Sequence, residues 1–473
     1  MTAGAVELLL RALDVLQIVE RELLLFACFW FIIGAIDELI VDLFWIWLRL
    51  TGRGGAGRLA AGVETRPLSG RIAVLVPAWQ EAEVIGAMVA HTLKAWPQDG
   101  LRLYIGCYSN DNATLQSALA GAAGDSRVRL VVHGNAGPTT KADCLNRLYA
   151  ALCDDEARSG AAFTGVLLHD AEDMVHPAAL AVVDRALAEV DFVQLPVRPE
   201  PHRNARWIGG HYLDEFTESH AKSLIVRDAL GAAIPAAGVG CGFARATLAQ
   251  LCAARRAEGE AGPFSIESLT EDYELGLLVS RSGAKSRFLR LRDHRGELVA
   301  TRAYFPDTVD ASVRQKARWI HGIALQSWDR LGWSGKPSDL WMVLRDRRGP
   351  MMAVVLAAGY VLLFVEALLA LAGFAGLREA APLSPLLATM LAISAASLVW
   401  RAIWRFGFTA QEYGIVEGVR AVLRIPVANF IAILAGRRAL SAYVRTLRGE
   451  IVRWDKTAHH AHPAALAFDA VPS

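Results

Sequence analysis

Acidic residues arrive together at Asp170, Glu172 and Asp173, directly after the apolar run Gly165-Val166-Leu167-Leu168. A short apolar run ending in acids reads as a buried strand that delivers carboxylates into a loop, where open α/β sheets hold ligands and metals. Asp170 and Glu172, two positions apart, would share a face of a strand, whereas a turn would send one to a cation and the other to a sugar. Hard cations such as Mg2+ take oxygen ligands of this kind together with substrate phosphates. A strand end that is merely acidic and solvated has the same composition.

Three other stretches carry matching chemistry. Lys141 follows Gly137-Pro138-Thr139-Thr140 at an expected helix start, where backbone N–H groups and an ammonium would both favour phosphate. A solvated surface lysine is the plainer reading. Asp272 sits in Ser268-Leu269-Thr270-Glu271-Asp272-Tyr273-Glu274, a helix start with Thr270 or Ser268 as N-cap. Acids in a first turn complement the helix dipole without any further role. They also ionise easily there, so a base at Asp272 would act through proximity more than basicity. Gln315, Arg318 and Trp319 fall at i, i+3 and i+4, on one helix face. The indole offers a stacking surface, Arg318 a fork for phosphate, and Lys316 a further cation. An amphipathic helix lying on a membrane has the same pattern. The glycine-rich run Ala237 to Phe243 lacks GxGxxG, which argues against a dinucleotide site.

Groups spread from 77 to 319 need a scaffold to bring them together. Ile72–Val76, broken by Pro77, then Leu101–Gly106, Val128–Val132 and Gly165–Leu168 read as strands alternating with helical patterns. That alternation predicts an α/β fold with an open, mainly parallel sheet covered on both faces, its ligands beyond the strand ends. Polar residues gather at three such ends: Pro77 to Glu81, Asn110 to Thr114, and Asp170 to Asp173.

Taken in order, these residues resemble a known family. Val76-Pro77-Ala78-Trp79-Gln80-Glu81, Asp111, Lys141-Ala142-Asp143-Cys144-Leu145-Asn146, Asp170-Ala171-Glu172-Asp173, Thr270-Glu271-Asp272 and Gln315-Lys316-Ala317-Arg318-Trp319 follow the order expected of family 2 membrane glycosyltransferases. The stretch 71–330 is similar to the GT-A synthases that include cellulose and hyaluronan synthases, and to their phage-adsorption protein B-like bacterial branch. The resemblance implies a GT-A (Rossmann-like) cytoplasmic domain flanked by transmembrane and interfacial helices. It implies Asp272 as the base that deprotonates the acceptor, with inversion at the sugar. Asp170 and Glu172 stand where a DxD element would hold Mg2+ or Mn2+, with glutamate replacing the second aspartate and Asp173 as a substitute ligand. Pro77, Glu81, Asp111 and Lys141 would join Asp170 around the nucleotide and donor, as would Gln315, Arg318 and Trp319. Asp111 alternatively caps a helix. Gly240, Cys241, Gly242 and Glu271 would form the loop at the donor sugar and acceptor. The implied donor is a nucleotide sugar, UDP-linked by expectation, and the implied acceptor a growing polysaccharide or a lipid-linked sugar.

Composition adds the membrane. Apolar residues make up 53% of 473, mean hydropathy is +0.30, and the excess lies at the two ends. Leu23 to Ile36 and Leu43 to Leu48 form one expected membrane helix, interrupted by Asp37, Glu38 and Asp42, which must meet partners or mark an exit from the lipid. The expected division is a transmembrane region at 1–50, a linker at 51–70, the GT-A domain at 71–310 and interfacial helices at 311–349. A transmembrane hairpin at 350–407 follows, then an interfacial or re-entrant region at 408–455 and a polar, disordered tail at 456–473 holding His459, His460 and His462. Arginines flanking the hairpin put both its ends in the cytoplasm of a bacterial inner membrane. A net charge of +1 gives no electrostatic case for nucleic acid. The six cysteines have no metal spacing and read as reduced thiols. Membrane lipids, and an export or outer-membrane partner, are the remaining implied contacts. The rival classes are a receptor or scaffold whose transferase domain has lost turnover, for which Glu172 speaks, and a transporter, against which the lack of internal repeats speaks.

Overall fold

Continuous apolar strands organise the centre of the molecule. A computed structural model describes residues 3–202, 205–333, 335–377, 382–450 and 461–464. Its main sheet contains β1 (Arg71–Pro77), β2 (Leu101–Tyr108), β3 (Val128–His133), β4 (Phe163–Leu168), β5 (Phe192–Gln194), β6 (Cys241–Ala244) and β7 (Ser286–Phe288). The strand order is β3-β2-β1-β4-β6-β5-β7. β1 runs parallel to β2 and β4, and β2 to β3, while β6 is antiparallel to both its neighbours. Successive side chains of a strand face opposite ways. Ile72, Val74 and Val76 therefore enter a core with Met88 on the Ile85–Ala95 helix. Ala73 and Leu75 enter a second core with Leu148 on the Lys141–Ser159 helix. The sheet is covered on both faces, as the α/β reading expects, and its central strands are continuous apolar runs for that reason.

Gly106 does not end β2, which continues to Tyr108. A Cβ at Gly106 would lie 2.5 Å from Cys144 Sγ, so this glycine lets the Lys141–Ser159 helix approach the sheet.

Among the described residues, four helices are long and apolar enough to cross a membrane: Glu7–Leu50, Gly349–Phe374, Pro385–Tyr413 and Ile425–Leu447. The expected single interfacial stretch over 408–455 is instead divided. Tyr413 ends one helix at Gly414, whose φ is +90°, and Ile415–Leu423 folds back against it. Ile425–Leu447 then forms the fourth long apolar helix. Arg424, at the joint, is fully buried and bonds Asp214 at 2.7 and 2.9 Å and Glu417 at 2.8 Å. Arg424 is thus paired inside the protein, while Arg437, Arg438, Arg445 and Arg448 stay exposed.

The first helix, Ala3–Leu50, is continuous through its acids. Asp37 accepts from Trp341 Nε1 and Arg348, both at 2.7 Å, and also from Arg345. Glu38 pairs with Arg345, Arg348 and Arg401. Asp42 accepts from Lys222 Nζ at 2.6 Å and Trp400 Nε1 at 2.8 Å. His459 and His460 lie outside the described residues. His462 is described, and the expectation of a disordered polar tail fails there: its side chain is buried against the transferase-like domain.

Candidate active site

β4 ends at Leu168 and its loop folds back on itself at once. His169 Nδ1 donates to Asp173 Oδ2 at 2.8 Å, and the Asp170 N–H reaches the same oxygen at 3.0 Å. Asp173 is almost wholly buried, and burial raises its pKa against the pull of His169. Its Oδ2 shapes the loop, and the residue also lines, beside Asp170 and Glu172, a cavity of about 480 Å³.

Across the cavity the Lys141–Ser159 helix begins, capped by Thr140 Oγ1 on Asp143 N at 3.2 Å. Lys141 Nζ lies 2.5 Å from Asp170 Oδ1. Burial works against its ammonium, but Asp170, Glu271 and Asp272 outweigh that and hold its pKa above the ordinary lysine value. Glu271 and Asp272 open the Glu271–Arg281 helix. Burial, then the charge of Asp272, pushes Glu271 up to about 7. Burial also raises Asp272, opposed by Lys141 and by the Tyr273 N–H, which its Oδ1 accepts at 2.8 Å. The expected low pKa at Asp272 is therefore corrected: desolvation by the tertiary fold exceeds the helix-start effect. Gly238, at φ +75°, permits this crowding. A Cβ there would lie 2.4 Å from Asp272 Oδ2 and 3.3 Å from Lys141 Nζ.

The third wall is the Val309–Trp319 helix, from which Gln315, Arg318 and Trp319 all face the cavity. Gln315 Oε1 and Arg318 Nε are buried with no hydrogen-bond partner among the described residues. Arg318 adds positive potential at Glu271 and Asp272. Lys316 does not join them. Its Nζ binds both oxygens of Glu215 at 2.7 Å on another face of the helix, so it is not the extra phosphate-compatible cation expected.

Other expected site residues divide. Pro77 and Glu81 line the cavity. Asp111 does not: its Oδ2 accepts from Gln80 N at 2.5 Å and its Oδ1 from Thr114 N at 3.3 Å. It caps the Asn112–Ala122 helix and pins the turn at Gln80, whose φ is +53°. Cys241 and Gly242 lie inside β6, and Gly242 packs where a Cβ would meet Val183 at 2.4 Å. Gly240, at φ +58°, turns into that strand beside Thr301. Of the glycine-rich run, Ala237 and Val239 line the cavity, beside the preceding Ala236.

The sequence reading passed over Trp79, whose indole lines the cavity and meets Tyr108 edge-on at 5.2 Å. It also missed the far end of the cavity. There Arg227 Nη1 holds both oxygens of Asp346 at 2.9 Å, and Tyr273 Oη donates to Asp346 at 2.9 Å. Arg345 to Arg348 signalled a membrane flank only, and nothing in their spacing points inward. Among the described residues, His176, Asp293 and Glu297 bring ligand atoms within 4.8 Å of one another, away from the cavity. Asp293 already accepts two backbone N–H groups there, and Glu297 pairs with Arg302.

This fold and cavity match a known family. The family model described as glycosyltransferase like family 2 fits residues 69–322, and the chain belongs to that family. Bacteriophage adsorption protein B of Escherichia coli (strain K12) is 31% identical over 460 residues, covering 90% of this chain and 60% of that protein. Bacteriophage N4 adsorption protein B of Escherichia coli O157:H7 matches with the same identity and coverage. The chain thus spans about 60% of the length of these curated relatives. Among solved structures, a mannosyltransferase from Pyrobaculum calidifontis in complex with GDP-Man and Mn2+ aligns with a TM-score of 0.49 and 17% identity, over 86% of this chain and 98% of that one. Glucosyl-3-phosphoglycerate synthase from Mycobacterium tuberculosis, in complex with Mn2+, UDP and phosphoglyceric acid, aligns with a TM-score of 0.33 and 18% identity, over 57% and 81%.

Proposed function

We propose that the protein is a multi-pass bacterial inner-membrane enzyme that transfers a sugar, with inversion, from a nucleotide-sugar donor to a growing polysaccharide or a lipid-linked acceptor. The observation that carries this reading is the meeting of Lys141 with Asp170, Glu271 and Asp272 in one cavity. Sugar transfer releases a diphosphate and requires a base for the acceptor hydroxyl. Lys141 and Arg318 provide positive charge for the first task, and Asp272, made more basic by burial, provides the second. The buried Arg318 Nε and Gln315 Oε1 suit a polar ligand that would satisfy them. Trp79 gives a face for stacking, and UDP is the nucleotide we assign.

Asp170 and Glu172 form a carboxylate donor set that fits a hard divalent cation, Mg2+ or Mn2+. When bound, such an ion supplies charge to the leaving diphosphate. Arg345 and Arg348 come just before Gly349–Phe374, and Arg401 and Arg405 lie in the second half of Pro385–Tyr413, where they pair with Glu38 or Glu218; this basic cluster on the transferase side supports a cytoplasmic placement of that domain. Membrane lipids and an export or outer-membrane partner complete the proposal.

The relatives' names favour a second reading, a phage-adsorption receptor or scaffold with little or no turnover. Nucleotide release from a donor panel separates the two. Membranes carrying the wild type should turn over one donor in Mg2+ or Mn2+, stop with chelator, and lose about a hundredfold or more in Asp272→Asn. Nucleotide binding without turnover of any donor would favour the scaffold.

A further inference from the structure

Two histidines outside the cavity hold backbone carbonyls of the acidic loop. His91, on the Ile85–Ala95 helix, places Nε2 2.9 Å from Val175 O. His462, far along the chain, places Nε2 3.1 Å from Asp173 O. A carbonyl only accepts, so each Nε2 carries the proton. His462 is fixed from its other side too, because Nδ1 accepts the Ala464 N–H at 3.1 Å. His462 and Ala464 are 1% and 3% exposed, and the rings of His91 and His462 lie 6.3 Å apart.

Asp173 is the node of this arrangement. Its carbonyl is tied to His462, while its carboxylate holds His169 and the Asp170 N–H. Asp170 in turn meets Lys141 in the cavity. Loops that carry ligands have little secondary structure of their own, and outer contacts set how well such ligands are oriented.

We propose that the segment 461–464, through His462, is a positioning element for Asp170 and Glu172. Docked, it fixes the loop in the geometry with which these acids meet a divalent cation. Released, it leaves the loop more mobile and the cation more weakly held. The inference rests on the reading of Asp170 and Glu172 as the cation's ligands. His462 touches neither substrate nor cation and acts only through Asp173.

The test uses the full chain in detergent as wild type, His462→Ala, His462→Gln and a deletion of 461–464. Hydrogen exchange of the peptide covering 169–176 and Mn2+ binding, read by electron paramagnetic resonance without donor, are measured on each. His462→Ala and the deletion should bind Mn2+ about tenfold more weakly, with faster exchange in that peptide. His462→Gln, which keeps an N–H donor, should recover most of both. The kcat at saturating Mn2+ should stay within about twofold of the wild type, since no reacting group has changed. Unchanged exchange, or faster exchange with unchanged Mn2+ affinity, would overturn the proposal. Asp170→Asn, measured in parallel, must weaken Mn2+ binding. If it does not, the ligand reading itself is wrong, whatever His462 does.

Discussion

Lys141→Met tests the electrostatics of the cavity in isolation from its shape. A Cβ built on Gly238 lies 2.4 Å from Asp272 Oδ2 and 3.3 Å from Lys141 Nζ, so those two charged atoms are at most the sum, 5.7 Å, apart. At an effective dielectric of about 20, unit charges at that distance attract by about 3 kcal/mol. The sign follows from the roles. In its proposed role Asp272 acts as a base only when ionised, and Lys141 stabilises the ionised form. Without the ammonium, Asp272 loses its proton only at higher pH. The acid limb of kcat/KM should therefore move to higher pH, driven by the lost attraction of about 3 kcal/mol. Donor KM should rise as well, because a phosphate-facing cation is gone. Nucleotide release measured from about pH 5 to 9 resolves both effects. An acid limb that stays in place while donor KM rises would mean that Lys141 only binds phosphate, and that Asp272 ionises independently of it.

Two further substitutions probe packing. Gly238→Ala forces a Cβ to within 2.4 Å of Asp272 Oδ2 at a φ of +75°. It should lower kcat about a hundredfold through misplacement of Asp272 and also lower the thermal midpoint, because a left-handed backbone strains a residue with a Cβ, and wild-type kcat would refute the close approach. Lys222→Met removes a fully buried cation held by Asp42 at 2.6 Å and Glu218 at 2.9 Å. Leaving those carboxylates short of charge should cost about 3–5 kcal/mol. A thermal midpoint in detergent equal to that of the wild type would refute it.

How far the chain could be read in advance depended on the range of the interactions involved. The continuous apolar run of β1 and the spacing of Gln315, Arg318 and Trp319 are local, and the structure keeps both. The acidic loop and the helix starts at Lys141 and Glu271 were equally legible. What failed was long-range. Lys316 pairs with Glu215, 101 positions away. Cys241 and Gly242 are small residues that read as a loop, yet β4 and β5 recruit them as a strand between two others. Asp111 shows a third kind of limit, since capping and ligand binding ask for the same residue in the same place, and only tertiary contacts to Gln80 and Thr114 separate them. The pKa of Asp272 belongs with the long-range failures, because its burial comes from elements distant in sequence.

The acids of the first helix show how a local anomaly can carry half a message. Charges in an apolar helix must be compensated, so Asp37, Glu38 and Asp42 announce partners without naming them. The structure supplies Arg345 and Arg348 for the first two, both at the end of the helix Pro337–Arg347. The intervening Asp346 instead takes Arg227 and the Tyr273 hydroxyl, and Tyr273 is the neighbour of Asp272. One helix end thus holds the first long apolar helix by its arginines and the Asp272-bearing helix by its aspartate. Separating either set would leave buried charge uncompensated, which costs more than the loss of an equal apolar contact. The relative position of the two helices is therefore set by these ion pairs, and the chain segment 51–70 that joins the domain to the first helix does not have to be rigid for the cavity to keep its place.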